Sequence, residues 1–356
     1  MHIHQKPLVT ALSLLLTFWT VSSARANETI TRKHDKPVSG DVTAASKTEV
    51  TVKITTPKES TVKVPANDIM NIAWTGEAPE CNVARSDENG GRYAKAIDGY
   101  QKALQSTKST NPLAKIDLEY CIARTTAKMA LADPTKADDA IKKLEDFRKQ
   151  QGDHYRFYDS LSLLGQLYTV KNDLAKAKSS YEALGKAPWK EYQMASRVAA
   201  GRLLLSENKL DEAAAEYEAV IAMQPDGPVE ESQRQEAVLG KARVMIAQKN
   251  FDESLKLLRE VIAKAPPEDT KVNAEAFLRQ GDCLREQGND VDALLSYLLV
   301  DVMFASEKPL HAEALYRLVH LWEKKGDKGK ADEARDRLRS DYENSEWARQ
   351  LKGAGG

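Results

Sequence analysis

The chain has 356 residues, 52 of them Lys or Arg and 53 Asp or Glu, for a formal net charge of −1. That balance argues against nucleic acid as a partner, because phosphate binding needs a basic surface. Aromatics are only 6% while Ala, Leu, Glu and Lys abound, a helix-forming composition, and three cysteines (Cys81, Cys121, Cys283) exclude a fully paired disulfide framework.

The first element is an export signal. His4 and Lys6 make a weakly basic start, residues 8–21 are almost all apolar, and Ala24-Arg25-Ala26 fits the small-x-small cleavage pattern. A signal peptide over 1–26, cleaved after Ala26, predicts a periplasmic or secreted mature chain. The apolar run is too short to span a bilayer comfortably and no stop-transfer flank follows. No cysteine follows it to carry a lipid, and no later segment is apolar enough to cross a membrane. Residues 27–36 are polar and without period, which predicts a flexible linker.

Residues 37–76 change character. Gly40-Asp41-Val42 suggests an early strand. Val50, Val52 and Ile54 alternate with Thr51 and Lys53, and Val62 and Val64 alternate with Thr61 and Lys63. Met70, Ile72 and Trp74 alternate again. The expectation is a small antiparallel β-module of three or four strands, which in its pattern resembles the SH3-like and Sm-like barrels of many bacterial proteins. So few residues bury little apolar surface alone. Ile72 and Trp74 are therefore expected to pack on the first helices that follow, the other reading of Trp74 being an exposed stacking platform.

From Pro79 onward there is no strand signal, and a repeat emerges. Gly165, Gly201 and Gly281 are each followed 12 residues later by Ala177, Ala213 and Ala293, 16 later by Tyr181, Tyr217 and Tyr297, and 19 later by Leu184, Val220 and Val300. Weaker units keep the frame: Ala84 with Ala96 and Tyr100, Ala242 with Ser254 and Leu258, Val319 with Ala331 and Leu338, and one more over residues 121–147. Seven helix pairs result, starting near Pro79, Leu113, Tyr155, Glu191, Glu231, Lys271 and Leu310. Their spacing is uneven, with extra residues at expected turns such as Pro225-Asp226-Gly227-Pro228.

This succession of small, small, aromatic and apolar residues resembles the tetratricopeptide (TPR) repeat. The resemblance implies a mainly α fold, a right-handed TPR α-solenoid of about seven helix pairs over residues 77–347, with a disordered tail at 348–356. One unit cannot bury its apolar face alone, so units must stack. The resemblance also implies a surface that binds protein or peptide partners, with the first helix of each pair on the inner wall. In that frame the groove candidates are Lys128, Gln166, Arg202, Arg243, Asp282 and His320, each directly after the small residue, and Arg124, three before it. Val198, Leu239, Leu278 and Tyr316 share the position of Arg124. The expected groove is basic in its first half, with arginines suited to an acidic segment. The family's Lys and Asn clamp for a terminal carboxylate is not reproduced, because no Asn occupies these positions.

Catalytic motifs are missing: there is no G-x-S-x-G, H-E-x-x-H or G-x-x-x-x-G-K-[ST]. After the signal only His34, His154, His311 and His320 remain, none at metal-ligand spacing. The reading is a non-enzymatic exported scaffold for protein–protein interactions in the bacterial envelope, without catalytic residues, cofactor or metal. The alternative is an accessory subunit that recognises polysaccharide or a cell-wall enzyme through the β-module. A monomer or weak dimer is expected, since the helix faces alternate as the repeat needs and no heptad seam runs through them. Export would permit a Cys81–Cys121 disulfide; the favoured reading is three buried thiols acting as small hydrophobes.

Overall fold

The computed structural model describes residues 27–55 and 57–353; the expected signal peptide at 1–26 lies outside the described residues. The described residues open on five antiparallel strands: β1 (Glu28–Arg32), β2 (Val38–Ala45), β3 (Glu49–Ile54), β4 (Ser60–Pro65) and β5 (Ile69–Ala73), in the order β4-β3-β2-β1-β5. A single 3-10 turn, Ala66–Asp68, separates β4 from β5. The alternation seen in the sequence sets the register: Val50 lies opposite Val64 and Val52 opposite Val62, and all but the half-buried Val62 are buried.

Residues 27–36 are not the expected linker. β1 runs between β2 and β5, with Ile30 paired to both Val38 and Ile72 and fully buried. A single apolar residue carries no readable period, and two neighbouring strands supply the hydrogen bonds that select it. The backbone N–H groups of Lys33 and His34 then both donate to the Asp68 carboxylate at 3.0 Å, which ties down the following turn.

Seven helix pairs follow, in two-helix hairpins. They are α1 (Glu80–Asn89) with α2 (Tyr93–Ser106), α3 (Pro112–Ala132) with α4 (Ala137–Gln150), α5 (Phe157–Val170) with α6 (Leu174–Leu184), and α7 (Lys190–Ser206) with α8 (Leu210–Ile221). The series continues with α9 (Pro228–Ala247) and α10 (Phe251–Lys264), α11 (Thr270–Glu286) and α12 (Asp290–Met303), and α13 (Lys308–Lys324) and α14 (Lys328–Asp341). The pairs start within a few residues of the expected positions. First helices of successive pairs touch, as α7 does α9 and α9 does α11, so they form a continuous inner layer.

The repeated glycines and tyrosines pack as one unit. A Cβ at Gly165, Gly201 or Gly281 would fall less than 3.0 Å from ring atoms of Tyr181, Tyr217 or Tyr297 respectively. The first helix of each of these pairs can hold the tyrosine of the second only if it presents no side chain there. Turns inside the pairs share one left-handed position, filled by Asn172, Asn208, Lys249, Gly288 and Gly326. Asp173, Asn289 and Asp327 then cap the helices that follow.

The expected disordered tail is corrected in part. α15 (Glu346–Gly353) docks on the last pair, with Ala348 and Leu351 buried and the Trp347 ring tilted against Tyr316 at 5.2 Å. The last first helix would otherwise leave an apolar face open, and α15 closes it. Residues 354–356 lie outside the described residues.

The β-module is fused to the solenoid. Its core residues Ile30, Val50, Val52, Ile69, Ile72 and Trp74 share one cluster with Ala114 and Tyr155. Trp74 Nε1 donates to Asp117 on α3 at 3.0 Å, and the Tyr155 hydroxyl donates to the other oxygen of the same carboxylate. Arg156 donates to the carbonyls of Ile69 and Met70 at 2.9 and 2.8 Å. Trp74 is thus a buried anchor, as packing of a small module required, and its reading as an exposed stacking platform is wrong. Cys81, Cys121 and Cys283 are free and buried, and burial pushes the Cys121 thiol up to about 11. Among the described residues no helix is long and apolar enough to cross a membrane.

Candidate partner-binding cleft

The seven candidate residues sit in five different settings. Arg124 and Lys128, one turn apart on α3, both reach Glu88 of α1: Arg124 donates twice, at 2.8 and 2.6 Å, and Lys128 once, at 2.8 Å. The Tyr100 hydroxyl also donates to Glu88, at 2.8 Å. Burial pushes the Glu88 carboxyl up, but Arg124 and Lys128 outweigh it and hold it at about 2. The basic patch expected at the start of the groove is therefore cancelled by a buried carboxylate that fastens the first two pairs together.

Asp282 is likewise internal. It accepts from Arg279 at 2.6 Å and from the Tyr297 hydroxyl at 2.9 Å, and Arg317 lies 3.1 Å away. Arg279 meanwhile grips Glu313 of α13 with two bonds, at 2.9 and 2.6 Å. Asp282 belongs to a buried network between α11 and α13 and does not line a groove. Val198, Leu239 and Leu278 are buried as well. Gln166 is exposed on α5 and bonds only to its own helix. His320 is exposed on α13, 3.5 Å from Glu323 and edge-on to Tyr316.

Arg202 and Arg243 share a cleft. They line a cleft of about 260 Å³ on the layer of first helices, walled by α7, α9, α11 and the start of α13. Leu239, Val272, Pro309 and Leu310 supply its apolar lining. Its charges are interlocked one repeat apart. Arg202 donates to Glu236 at 2.7 Å, and Lys271 bonds the other oxygen of the same carboxylate. Burial pushes the Glu275 carboxyl up, but Arg279, Arg243 and Arg202 together hold it at about 2. Two groups stand apart. Arg243 forms no ion pair among the described residues, and the hydroxyl of fully buried Tyr217, also in the lining, has no hydrogen-bond partner.

An unpaired guanidinium and an unpaired hydroxyl beside an apolar floor suit one polar or acidic side chain with an apolar stem. Sequence reasoning found Arg202 and Arg243 and missed Tyr217, Glu236, Lys271 and Glu275. Tyr217 looked like packing alone. The carboxylates and Lys271 had a signal, since Arg202, Glu236 and Lys271 follow one another at steps of 34 and 35 residues with alternating sign.

The tetratricopeptide repeat family model matches residues 204–274, from the end of α7 into α11. A tetratricopeptide repeat protein from Parabacteroides merdae superposes with a TM-score of 0.53 at 15% identity, over 73% of this chain and 91% of that one. A Rap protein solved in complex with competence and sporulation factor gives 0.53 at 14% identity, over 76% of each chain. The helical part is a TPR-like solenoid. Comparison with curated proteins gave no match. Within this TPR frame the cleft lies where first helices face inward.

Proposed function

We propose that this chain is an exported, non-enzymatic TPR scaffold that holds a protein or peptide partner in the bacterial envelope. The cleft between α7, α9, α11 and α13 is its anchor point. The observation that carries the reading is the pairing of Arg243, free of any ion pair among the described residues, with the buried unpartnered hydroxyl of Tyr217 in one apolar-floored cleft. Leaving such a hydroxyl unbonded costs on the order of 1–3 kcal/mol, which a bound partner would recover. The apolar run at 8–21 and Ala24-Arg25-Ala26 support export with cleavage after Ala26. The strand order β4-β3-β2-β1-β5, with a 3-10 turn before β5, supports the SH3-like reading of the β-module. Burial of Trp74 against Asp117 removes the aromatic that a polysaccharide-reading module would need.

The test is crosslinking in the native envelope followed by mass spectrometry, on wild type, Tyr217→Phe, and Arg202→Glu with Arg243→Glu. Tyr217→Phe keeps the ring on its glycines and should melt no lower than wild type. Both variants should lose the same specific partner. An unchanged partner list in both, with folding intact by circular dichroism, would sink the cleft as the anchor.

A further inference from the structure

The outward surface of the solenoid holds one anomaly. Each second helix of a pair turns four positions outward: two before, and two, five and nine after its anchoring small residue. In α12, anchored by Ala293, these are Val291, Leu295, Leu298 and Val302, of which Leu298 is half-buried and the other three are exposed. In the other six second helices none of these positions carries a Val, Leu, Ile, Met or aromatic residue. α10 places Lys256 and Arg259 at the second and third of them, and α14 places Glu333 and Asp336. A solvated face is thus the rule, and α12 breaks it along its whole length.

The break is large and ordered. Val291, Leu295, Leu299, Val302 and Met303 are between 41% and 73% exposed, five of the eight large hydrophobics exposed among the described residues. Together they offer on the order of 500 Å² of apolar surface, the size of patch that in soluble chains marks an interaction site. The exposed Val291, Leu295, Leu299 and Val302 follow one another at steps of four, four and three, so they form one helical stripe that suits a facing helix, with Leu298 half-buried at its inner edge.

We propose that α12 is the contact of a symmetric dimer, packed against α12 of a second copy with the two helices parallel. Two observations choose this occupant. First, two copies of the patch bury about 1,000 Å², the lower end for a specific interface and enough for a weak dimer. Second, the flanking charges are self-complementary in one orientation. A two-fold axis along α12 sets α10 of one copy opposite α14 of the other, so Lys256 and Arg259 face the partner's Glu333 and Asp336. A two-fold axis across α12 sets each helix against its own copy and brings like charges together. All four flanking residues are exposed, and none forms an ion pair among the described residues.

The experiment is sedimentation velocity of the signal-free chain over a range of concentrations. Wild type should pass from monomer to dimer at a Kd on the order of micromolar or weaker. Leu295→Glu with Val302→Glu should stay monomeric with an unchanged melting curve, since both side chains face solvent. Lys256→Glu with Arg259→Glu should weaken the dimer about tenfold, and adding Glu333→Lys with Asp336→Lys should restore it. A wild type that stays monomeric at the highest concentration overturns the proposal, as does a dimer indifferent to Leu295→Glu with Val302→Glu. A charge swap without effect overturns the parallel arrangement.

Discussion

At the scale of single residues, the side chains that matter here are those whose partners come from elsewhere in the chain. Lys128 and Arg243 occupy the same frame position on first helices, yet one is spent on Glu88 and the other is free of ion pairs among the described residues. Nothing local distinguishes them; the difference is whether a carboxylate arrives from the neighbouring pair. His154 gives the sharpest residue-level prediction. It is buried, and Arg156 N–H donates to its Nδ1 at 3.2 Å, so the neutral ring is built in. Burial pulls it down to about 4 from an ordinary value of 6.5, with Arg156 adding to the effect and Asp117 opposing it. The unfolded chain therefore takes up this proton first. The contribution of His154 is fully present above pH 6.5 and is lost as pH falls toward 4, by up to about 3 kcal/mol. Urea unfolding at pH 7 and pH 4.5 should show a clearly smaller loss for His154→Asn than for wild type. Equal losses would show that His154 does not titrate as its burial implies.

At the scale of elements, the β-module and the solenoid are joined by few but well-satisfied polar contacts set in an apolar seam. Asp117 is the joint, since it accepts from both Trp74 and Tyr155 while buried. Asp117→Ala would strand an indole N–H and a phenol O–H, at a cost of about 3 kcal/mol or more. In hydrogen exchange the amides of β1 and β5 should lose protection ahead of those in α9–α12. A uniform loss across the chain would mean that the module and the solenoid unfold as one unit. β1 marks the limit of sequence reading at this scale. Its five residues hold one buried aliphatic, and strand identity came from β2 and β5 on either side. The strands with two or three alternating aliphatics were legible, because period two needs at least that many to register.

At the scale of the whole molecule, the solenoid gains stability from each neighbour contact, so its ends need closing. α15 closes the last pair with Trp347, Ala348 and Leu351. Arg317 lies over the Trp347 ring at 5.3 Å, so the cap also covers the network that joins α11 to α13. Removing residues 346–356 should expose that face and lower the melting of the C-terminal pairs, by about 2–5 kcal/mol, as loss of the buried Leu351 and half-buried Trp347 implies. Calorimetry of the truncated chain would show this as an earlier or split transition. An unchanged profile would leave α15 with no stabilising role.

The sequence alone determined the paired-helix architecture, the number of pairs and the core of glycine and tyrosine. Those depend on side-chain size at a fixed period within about 35 residues of chain, as in the step from Gly165 to Tyr181. It also holds the aliphatic outer face of α12 and the alternating charges of Arg202, Glu236 and Lys271 at repeat spacing, neither of which the repeat pattern by itself picks out. Tertiary structure decided which charges are free. Arg124 and Lys128 are neutralised by Glu88 of another helix, 36 residues away from Arg124, and Asp282 by Arg279 of its own helix and Arg317 of α13, while Arg243 and the Tyr217 hydroxyl are left over in the cleft. Pairing depends on distances of a few ångströms between side chains on different helices, and no linear period encodes those.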